Sequence, residues 1–477
     1  MTDCSSDRPA QGRGLALWAA GVLVLLTCTV VVLLGLLGVS IMERRWEAQR
    51  PALVLQPIAD WEPNNEVWGR NYPREYETHL QTRIDDTRTR YGGAFPRDYL
   101  DEDPMQVILF AGYGFSKGYR QARGHTYALA DVLATPRLKT PYNPGTCMTC
   151  KSTDVPRLMH RMGVEGFYAT NFHDLKNEVS NAIGCQDCHD PKTLRLRITR
   201  PALIEGLSAM GKDVSQATQQ EMRSLVCAQC HVEYYFKAEP RDYLTFPWAK
   251  GTSVEDMIAY YDQIAFSDWV HPLSKTPMVK VQHPDYELFL TGIHAYVGLS
   301  CADCHMPYKN EGGVKFTDHH VQSPLLNIAN SCAVCHRWSE DQIRQRVEAI
   351  QDKVKAAKVQ TEEALVKAHF DIAAAMQAGV SDQDLGQART QVRHAQFYWD
   401  FVSASNGMGF HSPQEAMRVL GKAAVLAEEA RISVARLLGA KGLAQGPDYP
   451  DYGTRQKALE VMAGLTHPGA GQRPAPQ

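Results

Sequence analysis

The sequence predicts an all-α body, rich in loops and ending in long helices, and three observations carry that expectation. Between residues 146 and 338 no stretch alternates apolar and polar residues as a sheet would require. After residue 338, apolar and small residues settle into the four-three spacing of a long helix. Cysteine is concentrated in one pattern: C-x-x-C-H occurs four times among 12 cysteines, where random composition would give about 0.01 copies. Each copy offers two thiols that add across the vinyl groups of one porphyrin, and an adjacent histidine that reaches its iron. The fold class is therefore an all-α multihaem cytochrome, packed by haem rather than by a conventional core.

The chain reads as four stretches. Residues 1–45 hold a cytoplasmic stub and an apolar span. Residues 46–338 hold the haem sites, 339–445 the long helices and 446–477 a tail. In the first stretch 28 consecutive residues, 15–42, carry no charge, where about 20 suffice to cross a bilayer. That run exceeds the roughly 7–15 apolar residues of a secretory signal core. No small-x-small cleavage site precedes Glu43-Arg44-Arg45, which favours a retained anchor over a cleaved signal. Arg8 and Arg13 before the span balance Arg44 and Arg45 after it, so flanking charge does not orient it. Haem attachment to thiols does, because it belongs to an oxidising compartment. The chain beyond residue 42 is expected in the periplasm, tethered by the anchor, or released if the span is cut. Cys28 then serves as an apolar residue in the span and Cys4 as a free cytoplasmic thiol. The stretch 51–144, rich in Pro, Gly, Tyr and Arg, reads as loops with short helices. With 44% hydrophobic residues and a formal charge of -3, composition excludes a disordered chain and a nucleic-acid binder.

The four motifs are Cys185-Gln-Asp-Cys188-His189, Cys227-Ala-Gln-Cys230-His231, Cys301-Ala-Asp-Cys304-His305 and Cys332-Ala-Val-Cys335-His336. A fifth pair, Cys147-Met-Thr-Cys150, is followed by Lys151. Alone it would read as a disulfide or a thioredoxin-like dithiol. In company, ten cysteines fall into five identical spacings, and Lys151 becomes a proximal iron ligand once metal binding displaces its proton. Zinc is the weaker reading, because zinc sites do not ask for an adjacent histidine. Intervals of 38, 42, 74 and 31 residues between first cysteines are too uneven for a solenoid repeat.

Beyond the motifs, Ile343, Val347, Ile350, Val354, Ala357, Ala364, Ala368, Ile372 and Ala375 form the helical stripe, interrupted by Thr361, and Ser339 with Gln342 makes a capping box. This helix should end near Gly379 and a second should run from about Asp382 to Ala404. A third should begin at Ser412-Pro413-Gln414-Glu415, with Ser412 as N-cap and Pro413 in the first helical position. Such a narrow Ala-rich stripe suits packing within the chain and a dimer interface equally well.

With the five C-x-x-C pairs, four further segments complete a pattern: Cys230-His231-Val232-Glu233-Tyr234-Tyr235-Phe236, Phe266-Ser267-Asp268-Trp269, Lys280-Val281-Gln282-His283-Pro284 and Cys304-His305-Met306-Pro307. Over roughly residues 61–439 the sequence resembles the ammonium-forming pentahaem cytochrome c nitrite reductases of the calcium-containing type. The resemblance implies five covalent haems, the lysine-ligated one being the active site with an open distal face and the others bis-histidine electron carriers. Removing the four proximal histidines from 17 leaves 13 candidates for four distal positions. The resemblance assigns His319 to the haem on Cys185, with His320 as its competitor, His125 to that on Cys227, His411 to that on Cys301 and His294 to that on Cys332. His79, His160, His173, His271, His369, His394 and His467 read as ordinary surface or core histidines.

The resemblance further implies a catalytic group of Arg123, Tyr234 and His283. Arg123 would hold the anion, His283 would donate protons, and Tyr234 would donate a hydrogen bond. It also implies one calcium ion, bound by the side chains of Glu233 and Gln282 and the backbone carbonyls of Tyr234 and Lys280, since calcium takes oxygen ligands. The function expected is six-electron reduction of nitrite to ammonium, in ammonification. The alternatives are a non-enzymatic multihaem electron carrier, or a relative acting mainly on hydroxylamine, nitric oxide or sulfite. Expected partners are a second copy in a homodimer and a membrane quinol-oxidising multihaem cytochrome or another cytochrome c as electron donor.

Overall fold

A computed structural model describes residues 11–49, 56–443 and 446–466. Cys4, Arg8 and His467 lie outside the described residues. The chain forms two compact units, Met1–Pro57 and Ile58–Gln477.

The first unit contains helix α1, Gln11–Gln49. Its apolar part, Leu17–Arg45, has a mean hydropathy of 2.9, and its large side chains from Leu17 to Met42 are exposed. At about 1.5 Å per residue, such a helix is long enough for the roughly 30 Å of a hydrocarbon layer. Cys28 is exposed on it.

In the second unit, the region before Trp338 has no helix longer than 10 residues among the described residues. Sequence patterning suggested no sheet here. Three two-stranded hairpins are present, Tyr235–Lys237 with Tyr243–Thr245, Trp269–Val270 with Pro277–Met278, and Tyr308–Glu311 with Val314–Thr317. Strands of two to four residues are too short for alternation to be visible. The last hairpin turns on Gly312 and Gly313, at φ 57° and 80°, the positive values that a tight hairpin turn needs and that glycine adopts without steric cost.

The long helices follow as α2 (Glu340–Gln377), α3 (Asp382–Ala404) and α4 (Pro413–Ala440). The capping box opening α2 forms as expected, Gln342 N donating to Ser339 Oγ (3.3 Å) and Ser339 N to Gln342 Oε1 (3.0 Å). At α4, Pro413 takes the first helical position but Ser412 makes no capping bond. Its backbone, at φ -152° and ψ 83°, is turned away from cap geometry, and Glu415 pairs with Arg418 instead (2.6 Å).

The α2 stripe also settles inside the chain. Ile343 and Val347 bury against Leu325 and Ile328. Ala368, Ile372 and Ala375 bury with Leu385, Ala388 and Val392 of α3 and Ala430, Val434 and Leu438 of α4. This corrects the idea that the stripe is free to form a dimer seam: the turns after Gln377 and Ala404 fold α3 and α4 back onto it. The large apolar side chains that stay exposed on the long helices are Met417, Val425 and Ile432 of α4.

Polar anchors tie the helices to the haem-motif region. Lys358 of α2 is buried between Asp103 (2.8 Å) and Glu362 (2.8 Å), and Gln396 Nε2 of α3 donates to Leu109 O (2.8 Å). His271 and His369 stack at 3.8 Å, fully buried. A last helix, α5 (Arg455–Thr466), packs on the turn Met105–Leu109 and pairs Arg455 with Asp98 (3.2 Å) and Asp101 (3.1 Å).

Candidate active site and haem positions

Each C-x-x-C pair sits on a single helical turn, where residues three apart share a face and can present two sulfurs to one ring. Cys185–Cys188 is such a turn. Gly184 precedes it because Asn65 occupies the place of a Cβ (2.1 Å) while accepting the Cys185 N–H (2.9 Å). The helix Gln219–Ala228 starts on a Thr218–Glu221 capping box and leaves Cys227 in its last turn, with Cys230 and His231 just beyond. Cys301–His305 begins on a Ser300–Asp303 capping box, and Cys301 N donates to Ser224 Oγ of that preceding helix (3.1 Å). Cys147 lies in the 3₁₀ turn Gly145–Met148 with Cys150 just beyond it, and Cys332 opens the 3₁₀ turn Cys332–Val334. None of these ten cysteines is joined to another by a disulfide.

One buried arginine, not singled out from sequence, joins three of these turns. Arg200 donates to Thr149 O (2.8 Å) and Ser152 O (3.0 Å), which flank Cys150 and Lys151, and to Asp187 Oδ1 (2.7 Å) in the Cys185 turn. Gln229 Nε2 donates to Asp187 O (2.8 Å) and brings in the Cys227 turn. In line with this, the Cys150 thiol lies against Cys230, and Cys227 against Cys301.

The histidines form pairs. His189 faces His319 at 6.2 Å between ring centroids, His231 faces His125 at 6.4 Å, His305 faces His411 at 6.2 Å and His336 faces His294 at 6.4 Å. Two imidazoles bound to opposite sides of one metal stand about 6 Å apart, being two metal–nitrogen bonds of roughly 2 Å plus half of each ring. Several rings also have Nδ1 engaged, leaving Nε2 for iron. His189 Nδ1 meets Leu194 O (2.9 Å), His305 Nδ1 meets Gln322 O (2.8 Å), His319 Nδ1 meets Thr317 O (2.7 Å) and His231 Nδ1 meets Asp285 Oδ2 (3.1 Å). Burial drives His125 down to about 3 and both His189 and His305 to about 4, which holds them neutral, the form that binds metal. His320, beside His319, is half-buried and faces none of the motif histidines.

The other histidines are satisfied within the protein. His79 meets Asn65 (3.3 Å), His160 stacks on Trp61 (5.4 Å), His173 meets Thr140 O (2.9 Å) and His394 meets Asp262 (2.6 Å). His271 meets Ile108 O (2.8 Å), and His369 meets Ser274 (2.8 Å) and Gln396 (2.9 Å).

Whether these residues fit haem can be asked of buried polar atoms. Nη1 of Arg137, Nε and Nη2 of Arg197 and Nδ1 of His411 are sealed from solvent without a hydrogen-bond partner. Arg197 N donates to Cys188 O in a haem motif (2.9 Å), and His411 faces the motif histidine His305. Buried donors of this kind are costly unless a bound group answers them, and haem carries carboxylates and an iron that would do so.

The residues expected to catalyse are only partly gathered. His283 lies 4.5 Å from the His231 ring. Its Nε2 meets Asp285 Oδ2 (3.1 Å) and Asn406 Nδ2 (2.6 Å), the latter reaching in from the end of α3. Burial alone would raise the Asp285 carboxyl, but His283 and His231 outweigh it and hold it well below the usual carboxylate range. Tyr234 stacks on Phe236 (5.8 Å), and burial, then Cys150 and Cys147, push its phenol well above the usual value. Arg123 turns to Asp131, with Nε–Oδ2 at 3.0 Å and Nη2–Oδ1 at 2.6 Å. Sequence reading missed Asp131, Asp285 and Asn406, because no spacing marks a lone acid or amide until folding sets it beside a partner.

The residues expected to bind calcium converge. Glu233 is fully buried, its Oε1 accepting from Tyr261 (2.9 Å) and its Oε2 from Gln282 N. Gln282 Nε2 donates to Lys280 O (3.0 Å). The Lys280 ammonium is held away by Asp400 (2.9 Å), leaving its carbonyl on the Gln282 side. Glu233 N donates to Glu287 Oε1 (2.9 Å), while Glu287 Oε2 has no partner. Burial raises Glu287 to about 8 and Glu233 well above its usual value. Two buried carboxyls whose ionised forms meet no counter-cation in an ion pair among the described residues, beside the Lys280 carbonyl and the Gln282 amide, fit a hard cation that would stabilise them as carboxylates.

A family model described as cytochrome c552 matches residues 64–467. The chain belongs to the cytochrome c552 family. It is 46% identical over 457 residues to the cytochrome c-552 of Bacteroides fragilis, covering 94% of this chain and 92% of the relative. The cytochrome c-552 of Desulfotalea psychrophila is 42% identical over 463 residues, covering 93% and 89%. Among solved structures, the cytochrome c nitrite reductase of Desulfovibrio desulfuricans, described as having two calcium sites in its catalytic subunit, superposes with a TM-score of 0.77. It is 33% identical over 82% of this chain and 90% of that one. The all-α multihaem fold with long C-terminal helices is thus the fold of a cytochrome c552.

Proposed function

We propose that this cytochrome c552 reduces nitrite to ammonium in the periplasm, using five covalent haems and one calcium ion. Family and fold give the class, an oxidoreductase of the cytochrome c nitrite reductase type. The observation that carries the finer reading is the set of four histidine pairs at 6.2–6.4 Å beside a fifth C-x-x-C pair that ends in Lys151. In this reading the pairs His189/His319, His231/His125, His305/His411 and His336/His294 would hold four irons, and Lys151 would hold the fifth.

When bound, the haems would supply the electrons and an iron open to the substrate. The chain supplies the rest. Arg123, braced by Asp131 through Nε and Nη2, has Nη1 3.9 Å from the exposed Asp85 carboxylate, a weak pairing that an incoming anion's oxygen would replace. His283, seated by Asp285 and Asn406, holds a proton within reach of the substrate. The Tyr234 hydroxyl, kept neutral by burial, donates a hydrogen bond. Six electrons and eight protons per nitrite make repeated proton delivery the main demand on these side chains. Glu233, Gln282 and the carbonyls of Tyr234 and Lys280 would hold calcium, which fixes Tyr234 and His283 from both ends.

Helix α1 would tether the enzyme beside a quinol-oxidising multihaem cytochrome, or be removed after export. A homodimer would have to use surface other than the buried α2 stripe, and exposed Met417, Val425 and Ile432 on α4 offer one. The test is product analysis of the haem-loaded protein with a reduced dye. One ammonium per nitrite, at a rate well above that for hydroxylamine, nitric oxide or sulfite, supports the proposal. Dye oxidation with none of these would make it an electron carrier.

A further inference from the structure

Arg137 is a half-buried cation whose Nη1 is sealed from solvent, and no ion pair with a protein carboxylate forms at it among the described residues. It stands in the turn Pro136–Leu138, ten residues before Cys147. The loop between them is pinned: Asn143 Nδ2 donates to Leu138 O (3.2 Å) and Thr140 O (3.0 Å), Phe172 N donates to Asn143 O (2.8 Å), and Gly145 N donates to Thr170 O (2.7 Å). The guanidinium lies 3.9 Å over the Phe115 ring, and the Lys280 ammonium lies 4.8 Å from the same ring. Lys280 is neutralised by Asp400 at 2.9 Å. Nη1 of Arg137 is sealed and makes no hydrogen bond. Its charge acts on Tyr113, Tyr119, Tyr234 and the Cys147 thiol, all of them neutral groups. A guanidinium does not deprotonate in proteins, so the sealed Nη1 is a charged donor that an acceptor, best an anion, would satisfy.

We propose that Arg137 grips a propionate of the haem on Cys147 and Cys150, and so sets that haem's reduction potential as a positioning residue. The proposal rests on the reading that this pair carries a haem. A carboxylate presents two coplanar oxygens that match the guanidinium fork, and a haem on Cys147 and Cys150 would bring two carboxylates into this region. Nitrite has a similar two-oxygen face, so the experiment must separate the two sources. A fixed positive charge beside a haem favours its reduced state, so Arg137 raises the potential of this haem without touching the substrate.

The test uses haem-loaded Arg137→Gln and Arg137→Lys enzymes, with haem number verified by intact mass and each haem followed by spectropotentiometry. In Arg137→Gln the midpoint of the five-coordinate haem should move to lower potential while the other four stay, and Arg137→Lys should remain near wild type. An unchanged midpoint in a five-haem Arg137→Gln enzyme overturns the proposal. So does a raised KM for nitrite with an unchanged midpoint, which would assign Arg137 to the substrate. Should Arg137→Gln fail to retain haem, a crystal structure of the wild-type holoenzyme decides. Nη1 within about 3 Å of a propionate oxygen supports the proposal, and Nη1 bound elsewhere overturns it. A wild-type protein with four haems would instead contradict the haem reading on which the proposal stands.

Discussion

Between Ala368 and Leu438 the long helices close on one another: Ile372, Leu385, Val392 and Val434 are fully buried by side chains of the same three helices. Around the haem motifs, with partners reaching from His125 to His411, the decisive side chains do not touch their opposite numbers. Their imidazoles face each other across 6.2–6.4 Å, and Arg137 and Arg197 keep sealed donors without protein partners. The helices are specified by an apolar period and hold themselves together. The haem region is specified by ligand positions and, contrary to the expectation of a body packed by haem alone, by an apolar core in which Phe110, Met148, Leu158, Trp248 and Val281 are fully buried, continuous with Leu365 and Trp399 of the long helices. Function and stability should therefore respond to different substitutions.

The largest effect is expected at the catalytic group. Arg123→Ala and His283→Ala should each lower kcat/KM for nitrite about 10²–10³-fold, in the range seen when a charge-stabilising donor or a general acid is removed. Haem content and thermal midpoint should stay unchanged, and wild-type turnover in both variants would refute the assignment. Leu385→Ala, in the middle of the helix core, should do the reverse. It should cost roughly 3 kcal/mol of stability by leaving a cavity, read as a lower denaturation midpoint, with nitrite KM and haem spectra unaltered. A changed haem spectrum would show that the two regions are not separable.

A third, smaller effect depends on pH. Burial holds His369 at about 4, and burial with the facing His369 holds His271 well below its usual value. The unfolded chain, near 6.5, binds protons that the folded pair refuses. Stability is therefore full above about pH 6.5 and falls as pH drops toward 4. His369 alone should contribute about 2 kcal/mol of loss between pH 7 and pH 5. Urea titrations at those two values should show a smaller pH difference in His369→Gln than in wild type. The smallest effect is expected from removing residues 1–57: turnover with a soluble reductant should not change, while coupling to quinol oxidation in membranes should fall.

What the sequence disclosed follows the same division. Five C-x-x-C pairs and the α2 period are local signals, and they appear in the structure as single helical turns and as Glu340–Gln377. The limits Asp382 and Ala404 were legible because Ser381 caps the start of α3, and the chain leaves helical geometry at Ser405. Illegible were residues whose role comes from distant partners. Arg200 reads as one arginine among many until it meets Thr149, Ser152 and Asp187, and Asp285 gains meaning only between His231 and His283. The α2 stripe could not say whether its partner lay in the same chain, because an apolar period carries no label for what covers it. Ser412 had the composition of an N-cap without the backbone angles.

The central claim is that Cys147 and Cys150 carry a fifth haem, bound by Lys151, and that this iron alone is open to substrate. Pyridine haemochrome quantitation with intact mass, followed by an optical titration of the same sample with nitrite, tests it directly. The account predicts five haems per chain and a nitrite-dependent change confined to one of them. Four haems with Cys147 and Cys150 joined as a disulfide, or five haems none of which responds to nitrite, would contradict it.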